Sequence, residues 1–425
     1  MSNRYDLVIF GATGFTGKLV CKYLLDHPEA PSWAIAGRSE ARLHETQTEL
    51  SLPSSVAHIV ADTSDRSSLV RMAASARVVL NLVGPYRPFN AIDVVSACMQ
   101  AGSHYVDLSG ETGSNADIID SFHRKALEKK LIVASSVGFD SLPFDLTTFL
   151  AVQKVKQLQV DPNVQVDLAE CAFYLPYDPA SGLPISAGTL ASAISLSSEK
   201  QQLSTARGDW LSPISIPDPL TFKAVHWFPQ CQKWGAHAPF SIHNIRLVNR
   251  TWGLLQQTRS PQAYGSSFSY KEGWIVPNKF IGILIAYIGS FTVWLLMNVQ
   301  IARAMAKRII PANSGPNERG LTHSQLRVET LATGKDGTRA ICTMTANGNP
   351  FYTLTARMIV EAALTIAEIH HAPGGESTAS EPEFRGGVLT PALIGAQRLA
   401  ERLVKFGRFD IKVERFPSKG SVTKG

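Results

Sequence analysis

Val8–Val20, VIFGATGFTGKLV, decides the fold. The apolar run Tyr5–Phe10 leads into it, and Lys18–Leu25 carries apolar residues at helical spacing, so Gly11, Gly14 and Gly17 stand in a strand–turn–helix. Gly11 suits the tight turn, Gly14 lets backbone N–H groups approach a pyrophosphate, and Gly17 lets the helix lie close to the strand. The spacing is GxxGxxG, and Gly11, Thr13, Gly14, Phe15, Thr16 and Gly17 are the candidate phosphate cradle.

Working outward, the next strand ends at Gly37, where an NAD-binding unit usually offers an acidic residue to the ribose 2′-hydroxyl. Here Arg38 and Ser39 follow instead. A guanidinium and a hydroxyl suit a 2′-phosphate, so the expected cofactor is NADPH. The rhythm continues: Asp62 follows a third strand, and "ARVVLNLVGPY" ends a fourth in Asn81, Gly84, Pro85 and Tyr86, at the sheet edge where open α/β folds bind ligands. "HYVDLSGE" and "LIVASSVGFDSLPFDL" add two more strands and turns. Six strands alternating with helices predict a doubly wound, Rossmann-type parallel sheet. Asp62, Asn81, Gly84, Pro85 and Tyr86 join the cradle as candidate cofactor-binding residues.

Three motifs in order, "FGATGFTGKLV", "VVLNLVGPYRPFNAIDVVSACMQAGSHYVDLSGE" and "VGFDSLPFDL", resemble the saccharopine dehydrogenase-like oxidoreductases, which include trans-acting enoyl reductases of polyketide lipid assembly. The later "GGVLTPA", Gly386–Ala392, resembles the C-terminal motif of the same family. The resemblance implies a Rossmann domain, then an α/β substrate domain, with the final helices returning to the first domain. It leaves the substrate open.

From about Val164 the texture changes: "VQVDLAECAFY" alternates as a half-buried strand, and "HSQLRVETLATGKDGTRAICTMTANG" reads as two strands joined at Lys335-Asp336-Gly337. The expected architecture is therefore an N-terminal Rossmann-type doubly wound sheet over 1–150, a second α/β domain with antiparallel strands over 151–360, and a linker and C-terminal helical return over 361–425. Within the second domain Phe280–Ala302 holds no charged residue, while Lys279 precedes it and Arg303, Lys307 and Arg308 follow. About 20 apolar residues are enough to cross or enter a bilayer. Spanning, entry into one leaflet and burial in the second domain are the three readings. Because strand-like sequence resumes at Gln325, insertion into one leaflet is preferred, which places the protein inside the cell on the cytoplasmic face of a membrane or lipid droplet.

Composition narrows the rest. Charged residues make up 18% of the 425-residue chain, below the roughly 25% usual in globular domains, and no Lys/Arg block accompanies the net charge of +6, so no nucleic-acid partner is expected. The five cysteines lie far apart without metal spacing, which points to a reduced compartment and no metal site; residues 1–7 run straight into the first strand and leave no room for a signal peptide.

Reduction of an enoyl group needs a hydride donor, help for the developing enolate oxygen and an acid for the α-carbon. Tyr86 is the candidate catalytic donor, since a phenol brings no negative charge to an oxyanion; packing against the cofactor is its alternative role. Asp107 and Asp140 read as structural, Asp140 capping the helix that begins near Pro143, and His104 reads as structural too. Arg207, Arg246, Arg250 and Arg259 sit in loop-like sequence and form no clear grip for a dicarboxylic amino acid. The expected function is an NADPH-dependent oxidoreductase, a trans-acting enoyl reductase for a lipophilic or polyketide-type unsaturated substrate carried by a synthase. The alternatives are a non-catalytic NADP-binding protein on membranes or lipid droplets, and a saccharopine-type amino-acid reductase.

Overall fold

The computed structural model describes residues 4–159, 165–175, 179–181, 185–198, 207–216, 222–311, 314–371 and 384–417. The first six strands are β1 (Tyr5–Phe10), β2 (Trp33–Gly37), β3 (Ala57–Val60), β4 (Ala76–Asn81), β5 (His104–Asp107) and β6 (Ile132–Ala134). Most are short apolar runs, as strands covered on both faces must be. Helices α1 (Phe15–Leu25), α2 (Glu40–Glu49), α3 (Arg66–Ala74), α4 (Ala91–Ala101) and α5 (Thr112–Lys129) alternate with them. All pair in parallel in the order β6-β5-β4-β1-β2-β3, so the order reverses between β1 and β4. That reversal opens the crevice in which such sheets hold dinucleotides.

The second sheet contains β7 (Val166–Tyr174), β8 (Val225–Phe228), β9 (Lys233–Ala236), β10 (Ser269–Val276), β11 (Gln325–Gly334) and β12 (Arg339–Asn347). Its order is β12-β11-β7-β10-β9-β8, with β7 and β10 parallel and the other neighbours antiparallel. The expected hairpin is β11–β12, with Gly337 at φ +82° in its turn, a conformation that glycine adopts without strain. Helix α6 (Leu142–Leu158) joins the sheets and is buried on nearly every side, which is why its sequence shows little amphipathic patterning. One apolar core runs from Ile9 and Val106 through Phe144 to Val328.

The C-terminal region differs from the expected helical return. Helix Thr355–His371 already packs beside α1 on β1, β4 and β5; β13 (Gly387–Leu389) then pairs with β6 as a seventh parallel strand. After helix Ala396–Lys405, β14 (Phe409–Phe416) crosses to the second sheet and pairs with β12. Three residues carry no periodicity, so β13 escapes a reading by pattern, whereas Phe409–Val413 of β14 alternates apolar and polar residues as a half-buried strand does and is overlooked in the expected helical return. The Gly386–Ala392 motif closes the seam: Asp145 of α6 accepts bonds from Thr251 Oγ1 (2.6 Å) and the Ala392 N–H (2.8 Å). The apolar segment forms helix Lys279–Asn298, breaks at Val299 and continues as helix Gln300–Ile309.

Candidate active site

Gly14 is the N-cap of α1, and no side chain caps the helix, so its first-turn N–H groups face outward. Gly11 has φ +96°, outside the comfortable range of other residues. A Cβ on Gly17 would lie 2.3 Å from the Gly11 carbonyl oxygen and 2.7 Å from Ala12 Cα, whereas one on Gly14 would meet only the Gly11 oxygen, at 3.3 Å. Gly17 therefore serves close packing, and Gly14 leaves the mouth of the cradle open. The Thr13 and Thr16 hydroxyls make no hydrogen bond with another described residue. Phe15 turns away from the phosphate position to meet Tyr352 edge-on, with centroids 5.2 Å apart.

Arg38 follows β2 and is exposed, without a hydrogen-bond partner among the described residues, and its charge helps hold Asp62 below the usual carboxylate range. The larger effect on Asp62 is its bonds from the Ser64 N–H (2.9 Å) and hydroxyl (2.8 Å). Ser39 is the N-cap of α2 and accepts from the Arg42 N–H at 3.4 Å. These groups, with the α1 turn, line the β1–β2–β3 side of the crevice. An uncapped helix N-terminus and a free guanidinium at the end of β2 fit the pyrophosphate and 2′-phosphate of an NADP-type dinucleotide.

On the other side, Tyr86 does not face the crevice as a donor. Its hydroxyl is buried, donating to the Asn81 carbonyl (3.3 Å) and accepting from the Leu108 N–H (3.1 Å). Burial raises its pKa far beyond the ordinary phenol range. The candidate catalytic role of Tyr86 is thereby corrected: it ties the β4 turn to the β5 turn. Asn81 is likewise turned inward, donating to Tyr105 (3.0 Å) and accepting from the Val83 N–H (3.0 Å). Gly84 and Pro85 stay at the edge, where a Cβ on Gly84 would come 3.7 Å from Ser192 Oγ. Glu111, opposite, accepts from the N–H groups of Tyr86 (2.9 Å) and Arg87 (3.1 Å), fixing that turn.

Asp107 is structural as expected, accepting from Tyr105, Ser135 and the N–H groups of Ser109 and Ser136 at 2.8–3.1 Å. Burial nevertheless raises it to about 6. His104 accepts from the Ile132 N–H at 2.9 Å, also structural.

Asp140 is the correction that matters for chemistry. It does not cap α6, whose N-cap is Ser141 without a side-chain bond. Its carboxyl has no hydrogen-bond partner among the described residues, and a Cβ on Gly110 would lie 3.1 Å from Oδ2. Burial raises it to about 6. Glu272 of β10 and Tyr352 feel its charge. Glu272 accepts from Tyr270 (2.9 Å) and Asn244 (3.1 Å), and burial lifts it to about 7. Asn244 in turn accepts from Ser141 (3.0 Å), so helix Ser241–Gln257 links the β6 turn to β10. Helix α7 (Ala187–Ser195) closes this wall, with Tyr352 binding Ser186 and Thr189 at its start. Sequence reading missed Asn244, Glu272 and Tyr352. Glu272 left the one usable signal, a carboxylate within the strand-like "SYKEGWIV".

A parallel sheet with a phosphate cradle at its reversal point and a second sheet walling the crevice defines a dinucleotide-dependent oxidoreductase architecture. The profile described as "Saccharopine dehydrogenase NADP binding domain" matches residues 7–132. Proteins named "Trans-acting enoyl reductase" from Mycobacterium leprae and Mycobacterium tuberculosis are each 28% identical to the chain, over 95% and 94% of its length respectively and 96% of their own. The fold is that of saccharopine dehydrogenase (L-Glu forming) from Saccharomyces cerevisiae, at TM-score 0.53 and 14% identity over 97% of this chain and 100% of that one. The chain is thus an oxidoreductase that is similar to saccharopine dehydrogenase-like proteins, and its first domain binds a nicotinamide dinucleotide.

Proposed function

We infer that the chain is an NADPH-dependent enoyl reductase acting in trans on a lipophilic, polyketide-type thioester carried by a separate synthase. The observation that carries this reading is the crevice at the β5 and β6 turns: it presents an unpartnered carboxyl, Asp140, that burial keeps partly protonated near neutrality. Full-length similarity to proteins named trans-acting enoyl reductases supports the same reaction and a partner synthase.

NADPH, when bound, supplies the hydride. The α1 N–H groups hold its pyrophosphate and Arg38 its 2′-phosphate. Asp140 gives its proton from the carboxyl to the substrate α-carbon and regains one from solvent. In its neutral form it places no charge against the developing enolate.

A dicarboxylic amino acid as substrate is disfavoured by where the arginines go. Arg250 donates to the carbonyls of Leu211 (2.7 Å) and Val388 (2.6 Å), Arg246 to the Arg207 carbonyl (3.2 Å), and Arg207 pairs with Asp209. The test is incubation with NADPH and a long-chain (E)-2-enoyl pantetheine thioester, followed by mass spectrometry. NADPH consumption matched by a product two hydrogens heavier is expected; NADPH consumption on saccharopine-type imines alone overturns the reading.

A further inference from the structure

Helix Lys279–Asn298 is long and apolar enough to cross a bilayer, yet only 11% of its most apolar 18 residues are buried. The buried part is one narrow stripe. A Cβ on Gly282 would come 2.8 Å from Val225 Cγ1 and 3.0 Å from Val276 Cγ2; Ala286 is buried; a Cβ on Gly289 would lie 3.3 Å from Pro239. Small residues at i, i+4 and i+7 thus seat the helix on the β8–β9–β10 end of the second sheet. The opposite stripe presents Phe280, Leu284, Tyr287, Ile288, Phe291 and Trp294 to the outside, with Phe280 77% and Phe291 58% exposed. So much contiguous apolar surface marks a contact surface rather than a scatter of exposed side chains.

The next helix, Gln300–Ile309, extends that surface. Ile301, Met305 and Ile309 recur at i, i+4 and i+8, and Ile301 is 73% exposed. Lys307 and Arg308 are exposed beside them, and Arg303 reaches Ser197 at 2.9 Å. Residues 279–309 contain four basic side chains and no acidic one. A second copy of the chain would bring the same unbalanced positive charge to the contact; an anionic lipid headgroup layer would neutralise it.

The geometry points to a one-leaflet docking face: helices Lys279–Asn298 and Gln300–Ile309 lie in the surface of an anionic phospholipid bilayer, their apolar stripes in the acyl boundary and Lys279, Arg303, Lys307 and Arg308 among the headgroups. The seated glycine stripe separates this from a span, because crossing the bilayer would strip the helix from its sheet. Docked in this way, the protein offers a lipophilic substrate a route from the bilayer to the crevice. Helix α7 packs on both exposed helices and, through Ser192 and Tyr352, on the Gly84 and Phe15 side of the crevice. That consequence rests on the proposed function; the docking itself does not.

Flotation of the full chain with vesicles tests the docking. Wild type is expected to rise with phosphatidylcholine vesicles containing a third phosphatidylglycerol and to stay below with phosphatidylcholine alone. Lys307→Gln with Arg308→Gln removes two exposed charges and should weaken binding on the order of 30-fold, at about one-fifth of the affinity kept per cation. Leu284→Asp with Phe291→Asp should leave the vesicles while NADPH binding, read by cofactor fluorescence, stays at the wild-type value and shows the fold intact. Wild type that ignores both vesicle types overturns the inference, as does equal binding by the Gln variant. A detergent-free dimer that the aspartate substitutions dissociate, without vesicle binding, assigns the face to a second copy and overturns it too.

Discussion

Arg38 and Asp140 mark the two ends of the crevice, and each carries a separable prediction. Arg38 is exposed and unpartnered, so its removal disturbs no internal contact. Arg38→Ala should weaken NADPH by about 1.5–3 kcal/mol, the scale of a hydrogen bond to a charged group, and leave NADH nearly unchanged. Titration of both cofactors by fluorescence decides it, and equal loss for the two contradicts the 2′-phosphate assignment. Asp140 must be protonated to act as an acid, and burial raises it to about 6. Turnover of an enoyl thioester should therefore fall as pH rises above about 6, approaching tenfold per pH unit. Asp140→Asn should lower the rate by about 10²–10⁴, the usual worth of a positioned acid, and flatten that limb. A variant with wild-type rate and profile would return Asp140 to a structural role. Glu272 and Tyr352 face the carboxyl, so the limb is to be read against Glu272→Gln as well.

The β1–α1 turn shows how an element can be legible while its partners are not. Gly11, Gly14 and Gly17 betray the turn in the sequence because a positive φ, room for a ligand and close helix packing fall on three evenly spaced positions. The structure divides those demands. Gly17→Ala would place Cβ 2.3 Å from the Gly11 oxygen, so α1 must move away from the turn, at a cost of about 1–3 kcal/mol as in other overpacked sites. Gly14 has φ −81° and ψ 167°, open to any residue, so Gly14→Val should melt within a few degrees of wild type yet lose NADPH binding. Thermal melts beside cofactor titrations separate the two variants; a Gly14→Val protein that binds NADPH normally would displace the pyrophosphate from this turn. By contrast α7 and the Tyr352 segment wall the same crevice without any spacing rule, because their contact is made by tertiary packing between distant stretches. Tyr86 illustrates the same limit: its place after the β4 turn was readable, but the inward rotation of its hydroxyl toward Asn81 and Leu108 depends on β5, which local pattern does not contain.

Across the whole molecule, the alternating strands and helices of the first domain were legible because buried parallel strands leave short apolar runs and amphipathic helices impose a period between them. The passage of the C-terminal chain to both sheets was not, since β13 is three residues long and the alternation of β14 marks a strand without naming β12 as its partner. Beside the shared apolar core, the two sheets are linked by a buried polar seam in which Ser141, Asn244, Glu272 and Tyr270 form a continuous chain of hydrogen bonds from the β6 turn to β10. Glu272 is raised from 4.5 to about 7 by burial, with Asp140 adding in the same direction. A carboxyl whose folded pKa lies above its unfolded value stabilises fully below the unfolded pKa, and that contribution is lost as pH rises through the folded one. Glu272 should therefore cost stability progressively between pH 4.5 and 7, on the order of 3 kcal/mol in total. Asp107, Asp140 and Asp145, each raised to about 6 by burial, act in the same sense, while His123 and His243, both lowered to about 4, act in the opposite one, losing stability as pH falls through 6.5 toward 4, so the wild-type curve alone mixes them all. Glu272→Gln keeps the acceptor for Asn244 and removes the ionisation, while its NH2 group meets a Tyr270 hydroxyl that must turn from donor to acceptor, a change that does not vary with pH. Its stability relative to wild type, from urea melts at pH 5 and pH 8, should rise with pH by about 2–3 kcal/mol. Parallel curves would mean that Glu272 ionises in the folded protein as it does in the unfolded chain, and that the seam holds no buried proton.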